Sequence, residues 1–272
     1  MVFIATELPL AGGEQVEEWP LEAFPEPSGI VYHPLRRTLF VVGDEGDIGE
    51  VDLAGNLLHI RNLGGDLEGV TCNPGDGRLY VVREGDEIIF EVDPQQLTIR
   101  RRFTIDRTYD GNANFLERGG DGVEGVTFVA GEKGGQFFVV NQYDPPALLE
   151  LGISSLTDDD GFARAIIVHS ATIGSPPLSD VVWDPKNRVF LVVSALWRSA
   201  YVVDREGQRK RTVRLPGIMQ EGLALLPDGS FVIAQDTGGL VRWKPTADPF
   251  ALTENLTNAG QNPVTTNTQN PR

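Results

Sequence analysis

Three glutamates stand immediately before a glycine and a hydrophobic residue: Glu68-Gly69-Val70, Glu124-Gly125-Val126 and Glu221-Gly222-Leu223. Ser28-Gly29-Ile30 and Ser179-Asp180-Val181 repeat the pattern with a hydroxyl in place of the carboxylate. If the five sites are equivalent positions of a closed repeat, pseudo-rotation brings three carboxylates towards one axis, within about 8 Å of one another for sheets packed at roughly 10 Å. Asp44, Glu45, Glu84, Asn141, Gln142, Ser194, Gln235 and Asp236 fall where the following strands end, at the same mouth, and nearly all are oxygen donors. Two carboxylates 4 Å apart repel by about 4 kcal/mol at an effective dielectric of 20. A metal, an arginine or a proton must offset that repulsion. A hard cation such as Ca2+ suits carboxylate and amide oxygens better than zinc does. Its expected core ligands are Glu68, Glu124 and Glu221, joined by Asp44 and Asp236. Glu84, Gln142, Tyr143, Trp197 and Arg83 flank the mouth as candidate contacts for an organic ligand, with Tyr143 and Trp197 placed to stack on it. The structural alternative is that the glutamates accept hydrogen bonds from backbone N–H groups of neighbouring repeats, with Arg83 or Arg198 balancing the charge.

Other chemistry is thin. His33, His59 and His169 show no metal-ligand spacing, and no zinc-protease, nucleophile-elbow, phosphate-loop or dinucleotide glycine motif is present. The Asp158-Asp159-Asp160-Gly161 run superficially resembles a calcium loop. Placing Gly161 at the sixth loop position puts Leu156 first and Ile167 twelfth, where carboxylates are required. It reads as a solvated acidic loop. Cys72, alone in the chain and inside an apolar strand, reads as a small core residue.

The elements that position these residues are short strands. The five openings lie roughly 40 to 56 residues apart, the spacing of folds built from stacked or radial repeats. Each opening strand meets a turn such as Pro74-Gly75-Asp76-Gly77 or Asp184-Pro185-Lys186-Asn187, then a second strand. A third strand follows every time and a fourth follows four times. The last repeat lacks its fourth strand, and the segment around Thr6 to Leu10 is expected to supply it. The predicted fold is an all-β, five-bladed β-propeller closed by an N-terminal strand. A six-bladed ring that draws on the long connection Asp106 to Gly122 is the alternative. One propeller domain is expected over residues 1–250, followed by a disordered polar tail over 251–272.

A net charge of −16, from 39 acids against 23 bases, argues against nucleic acid and anionic membranes, both of which need clustered cations. No apolar run approaches the 18 or so residues of a membrane helix. The start Met1-Val2-Phe3-Ile4-Ala5-Thr6-Glu7 lacks a basic leader, so the chain as written reads as cytoplasmic, or as a cell-envelope protein if a signal or anchor has been removed.

The blade openings Pro-Ser-Gly-Ile, Asp-Leu-Glu-Gly-Val, Gly-Val-Glu-Gly-Val, Leu-Ser-Asp-Val-Val and Gln-Glu-Gly-Leu-Ala occur in that order. With second strands such as Leu39-Phe40-Val41-Val42 and Leu79-Tyr80-Val81-Val82, they make the chain from about Thr6 to Lys244 similar to the SdiA-regulated (YjiK-like) bacterial propellers. The resemblance implies a propeller associated with, or exported across, the bacterial inner membrane, with no defined reaction. The chain departs from relatives at Ser194-Ala195-Leu196-Trp197, where they carry a more polar run, and at Asn141 to Pro146, where they place basic residues. The expected function is a non-catalytic propeller that binds a small molecule, peptide or protein at an acidic, Ca2+-binding mouth. The alternative is a metal-dependent ester or lactone hydrolase of the calcium-propeller type, by analogy of fold alone. A purely structural scaffold is the third reading.

Overall fold

The computed structural model describes residues 12–116, 122–131, 134–157, 162–174 and 177–252. Its described residues form strands and turns, with no helix. β1 (Gly13–Trp19) comes first in the chain, and the first unit then holds β2 (Pro27–His33), β3 (Thr38–Gly43), β4 (Asp47–Val51) and β5 (Leu57–Asn62). The second holds β6 (Leu67–Cys72), β7 (Leu79–Arg83), β8 (Ile88–Asp93) and β9 (Thr98–Ile105). The third holds β10 (Val123–Gly131), β11 (Gly134–Asn141), β12 (Ala147–Thr157) and β13 (Ala163–Thr172). The fourth holds β14 (Asp180–Asp184), β15 (Val189–Ser194), β16 (Ser199–Val203) and β17 (Arg209–Arg214), and β18 (Gln220–Leu225), β19 (Phe231–Gln235) and β20 (Leu240–Pro245) follow.

Each unit is an antiparallel meander. The units from β2 and β14 form separate four-stranded sheets, and β1 completes a third as β1-β20-β19-β18. The units from β6 and β10 merge into one eight-stranded sheet, because β9 and β13 pair in parallel through Ala163↔Phe103, Arg164↔Thr104 and Ala165↔Ile105. The opening strands contact one another in a closed cycle: β2 with β6, β6 with β10, β10 with β14, β14 with β18, and β18 with β2.

The second strands explain why the units stack. A strand buried on one face alternates apolar and polar residues, whereas one buried on both faces is apolar throughout. In β3, Leu39 and Val41 pack with Ala224, Val232 and Ala234 of the last unit, while Phe40 and Val42 pack with Val70, Leu79 and Val81 of the next. The same division recurs around the ring, giving one core between each adjacent pair of units.

The glycine of the repeat motif has a steric cause. A Cβ on Gly69 would lie 2.6 Å from the Glu124 carbonyl oxygen, and one on Gly125 would lie 2.5 Å from Asp180 Cα. One on Gly222 would lie 2.8 Å from the Ser28 carbonyl oxygen, and Gly29 meets the Glu68 carbonyl in the same way. Opening strands therefore touch backbone to backbone around the axis. The pairing register slips at this point in β2, β6, β10 and β18, the signature of a bulge that re-aims side chains.

The fourth unit carries Asp180 instead of glycine. Its buried carboxylate accepts the Leu223 N–H of the next unit at 2.9 Å and its own Val181 N–H at 2.7 Å. Other side chains clasp neighbouring units similarly: Thr71 Oγ1 accepts from Phe128 N, Thr127 Oγ1 from Trp183 N, and buried His33 meets the Gly77 carbonyl through Nε2 at 2.8 Å. Cys72 is buried, and burial pushes its thiol up to about 12, so it is unreactive.

The edge position assigned from sequence to Thr6–Leu10 is held by β1, Gly13–Trp19, whose register against β20 runs from Gly13↔Pro245 to Trp19↔Leu240. An N-terminal strand closes this sheet, but it starts later in the chain, because Trp19 is the side chain that buries itself, in the core shared with Leu21 and Phe24. Residues 1–11 lie outside the described residues, as do the Asp158–Gly161 acidic run and residues 253–272. Trp19→Ala should cost about 3–5 kcal/mol, the usual penalty for emptying a buried aromatic site. Deletion of residues 1–11 should cost far less than deletion through Trp19, and thermal melts of the three variants check that order.

Candidate functional site

The starts of the opening strands and the ends of the second strands meet at one mouth of the axis. There β6 presents Glu68, β10 presents Glu124 and β18 presents Glu221, while Asp44, Glu84 and Asp236 directly follow β3, β7 and β19. Carboxylate oxygens of Asp44, Asp66 and Glu68 all lie within 4.8 Å of one another. Glu68 lies beside Asp66, and Glu124 lies beside Glu68 and Glu84. Glu84 accepts the Gly122 N–H at 3.0 Å, and Asp44 accepts the Ser28 hydroxyl.

Asp236 and Asp44 both act on Glu221, and Asp44 also acts on Glu68, so Asp44 lies in the field of both glutamates.

Burial is the main cause of their electrostatics. It raises the Glu68 carboxyl to about 9, with Asp44, Asp66 and Glu84 adding repulsion. It lifts Glu124 well above the usual carboxylate range, reinforced by Glu68 and Glu84. Burial, then Asp236 and Asp44, brings Glu221 to about 7, while Asp66 and Asp236 are also raised chiefly by burial. Exposed Glu26 is raised first by Asp44 and then by Asp236.

The arginines proposed to balance this charge are occupied elsewhere. Arg83 pairs with Asp86 and lies over the Phe90 ring at 4.9 Å, and Arg198 donates to the Gly217 carbonyl. Among the described residues no ion pair joins a lysine or arginine to Asp44, Asp66, Glu68, Glu84, Glu124, Glu221 or Asp236.

Of the other expected contacts, Gln142 donates its backbone N–H to the Gly122 carbonyl, and the Tyr143 carbonyl accepts from Asn141 Nδ2. Trp197 is 58% exposed in the turn between β15 and β16. Asn141, Ser194 and Gln235 turn inward to the backbone, Ser194 to the Pro177 carbonyl at 2.6 Å and Gln235 to Ile218 N at 2.9 Å.

Asp66 is the member that motif reading missed. It sits two residues before Glu68, and in an extended segment residues two apart share a face. The same offset places Glu26 before Ser28.

The SdiA-regulated family profile matches residues 15–224, most of the chain and all five motif glycine or aspartate positions. The chain belongs to the SdiA-regulated family. Within that family assignment the sheet topology makes it a β-propeller. No individual curated protein matches it. Among solved structures, this SdiA-regulated propeller is similar to the Myxococcus xanthus glutaminyl cyclase, with 16% identity, 85% of this chain and 94% of that chain covered, and a TM-score of 0.59. At that identity the likeness is one of fold. Kuenenia stuttgartiensis hydrazine synthase also matches, with 16% identity, 82% and 59% covered, and a TM-score of 0.45. Among the described residues of the SdiA-regulated chain no helix is long and apolar enough to cross a membrane.

Proposed function

We propose that this protein is a non-catalytic, five-bladed β-propeller whose acidic mouth binds a hard divalent cation, Ca2+ above all, and through it a small molecule, peptide or partner protein. The closed cycle of five opening strands supports the blade count. The connection once available to a sixth blade holds, in its described part, only the Tyr109↔Asn112 bridge. The described strands of this single propeller domain run from Gly13 to Pro245.

The observation that carries the cation reading is the Asp44, Asp66 and Glu68 oxygen cluster, with no cationic side chain paired to it among the described residues. Three carboxylates that close are stable only with protons or a bound cation between them. Oxygen-only donors favour Ca2+ or Mg2+, and a flexible set of unequal depth favours the larger ion. Glu84, Glu124, Glu221 and Asp236 would supply the surrounding negative field, and Tyr143 and Trp197 the flanking ligand surface.

Binding to the folded state alone stabilises it by about 2.7 kcal/mol at a hundredfold excess over Kd. Millimolar Ca2+ should therefore raise Tm by roughly 5–10 °C for a chain of this size. Glu68→Gln should abolish most of that rise, and EDTA should reverse it. No shift with Ca2+, together with a higher Tm in Glu68→Gln at neutral pH, would leave an acidic ring held by protons.

The raised Glu68 and Glu124 carboxyls favour, as a second reading, a metal-dependent ester or lactone hydrolase, since a carboxylate tuned by burial can serve as a base. Turnover of aryl esters or lactones that EDTA removes would decide for it.

A further inference from the structure

The far end of the axis carries a second concavity, of about 940 Å3, whose lining includes none of the acidic mouth residues. One repeat position, four residues after the motif serine or glutamate, supplies its wall in every blade: Tyr32, Cys72, Phe128, Trp183 and Leu225. Three of these are aromatic. The Phe128 ring is fixed from behind, stacked on Tyr80 at 5.8 Å and edge-on to Phe137 at 5.3 Å. Trp183 is held against Phe190 at 4.9 Å. Tyr32, Phe128, Trp183 and Leu225 nevertheless remain only half-buried, so these anchored rings keep apolar surface turned to the opening. The floor is the constriction where the opening strands meet backbone to backbone, represented in the lining by Ile30, Val70, Val126, Val181 and Leu223.

Charge decides what such a cavity selects. Its carboxylates are already matched: Asp180 by two backbone N–H groups, Asp184 by Asn187 and Lys186 N, Asp228 by Arg242 and Ser230, and Asp248 by Lys186 Nζ at 2.7 Å. A cationic ligand would have to break one of these pairs to gain a partner, whereas an uncharged apolar one would lose nothing. Lys244, exposed at the rim, makes no ion pair among the described residues. Volume and wall chemistry fit the ordinary small-molecule pocket, which is concave, chiefly apolar and a few hundred to a thousand cubic ångströms.

We propose that this cavity is a binding site for an aromatic small molecule that carries no positive charge, independent of the acidic mouth. The ligand's rings pack among Tyr32, Phe128 and Trp183, and the paired rim carboxylates offer nothing to cationic competitors. The inference does not rest on the cation reading, since the two ends share no lining residue.

The test uses the full chain and the neutral fluorophore N-phenyl-1-naphthylamine. Saturable binding of one probe per chain is expected, with energy transfer from tryptophan that Trp183→Phe lowers at least twofold. Val182→Trp fills the cavity from a half-buried wall position and should weaken binding at least tenfold, as should Val31→Trp from another blade. Leu58→Ser, on the exposed outer strand β5, should leave it unchanged. Binding should be equal in Ca2+ and in EDTA, which separates this site from the other mouth. Absence of saturable binding, or binding that survives both cavity-filling variants, overturns the proposal. Should neither variant fold, undiminished energy transfer in Trp183→Phe overturns it instead. Displacement by cationic naphthalenes as effective as by naphthalene itself would overturn the selectivity against cations.

Discussion

Gly125→Ala is expected to destabilise the protein by about 3 kcal/mol or more, enough to leave much of it unfolded, because overpacking at a rigid contact is costly. The added methyl would fall 2.5 Å from Asp180 Cα and 2.6 Å from Val181 N. Both are backbone atoms of the next blade's opening strand, so no rotamer change relieves the clash. The blades would have to separate, and their shared core, which includes Val129 and Val140 on one side and Val181 on the other, would loosen. Gly131→Ala is the control, since a Cβ there meets its nearest neighbour, the Gly134 carbonyl oxygen, at an ordinary 3.5 Å. Chemical denaturation of the two variants measures the difference, and equal stabilities would refute the backbone-contact account of the motif.

The second large effect is on pH. Glu68, at about 9, and Glu221 and Asp180, at about 7, hold protons more tightly in the fold than in the unfolded chain. Where the folded state binds more protons, stability falls as pH rises. Their contribution is therefore complete below about pH 4, and it is lost as pH rises through 7 for Glu221 and Asp180 and through 9 for Glu68. In EDTA the protein should be less stable at pH 9 than at pH 5 by on the order of 3 kcal/mol, after allowing for relaxation around the buried charges. Glu68→Gln should flatten the upper part of that decline, and Glu221→Gln the middle. Melting curves across the range provide the measurement; stability that climbs from pH 5 to 9 would contradict the burial of these groups.

Much of the architecture was legible because propeller burial writes itself into short runs. Second strands such as Phe190-Leu191-Val192-Val193 are apolar at every position because each face enters a different core. The opening motif was legible as a repeat, although its glycine acquires a reason only when the neighbouring backbone is seen. The closing strand was assigned to the wrong segment because an edge strand exposes most of its side chains. In Gly13-Glu14-Gln15-Val16-Glu17-Glu18-Trp19 only the tryptophan is fully buried, so the run reads as a polar linker. Asp180 was counted as a motif variant, yet its carboxylate replaces a backbone contact by hydrogen bonds to two N–H groups. In the mouth, the glutamates announced themselves by repetition. Asp66 did not, because its partnership with Asp44 crosses between blades and leaves no periodic trace. The far cavity was equally hidden: its wall is a single repeat position, but Tyr, Cys, Phe, Trp and Leu share only their lack of charge.

The parallel ladder between β9 and β13 gives the ring an unequal mechanical character. Around most of the circumference adjacent blades are held by interlocked side chains, which can slide by small amounts, whereas here two rims are laced through Phe103 to Ile105 and Ala163 to Ala165 by main-chain bonds. Those two blades must tilt together. Glu68 and Glu124, from two different blades, thus stand on one continuous eight-stranded sheet. Glu221 and Asp236, on the last blade, belong to a separate four-stranded sheet, so the acidic mouth is shared between surfaces with no main-chain ladder joining them.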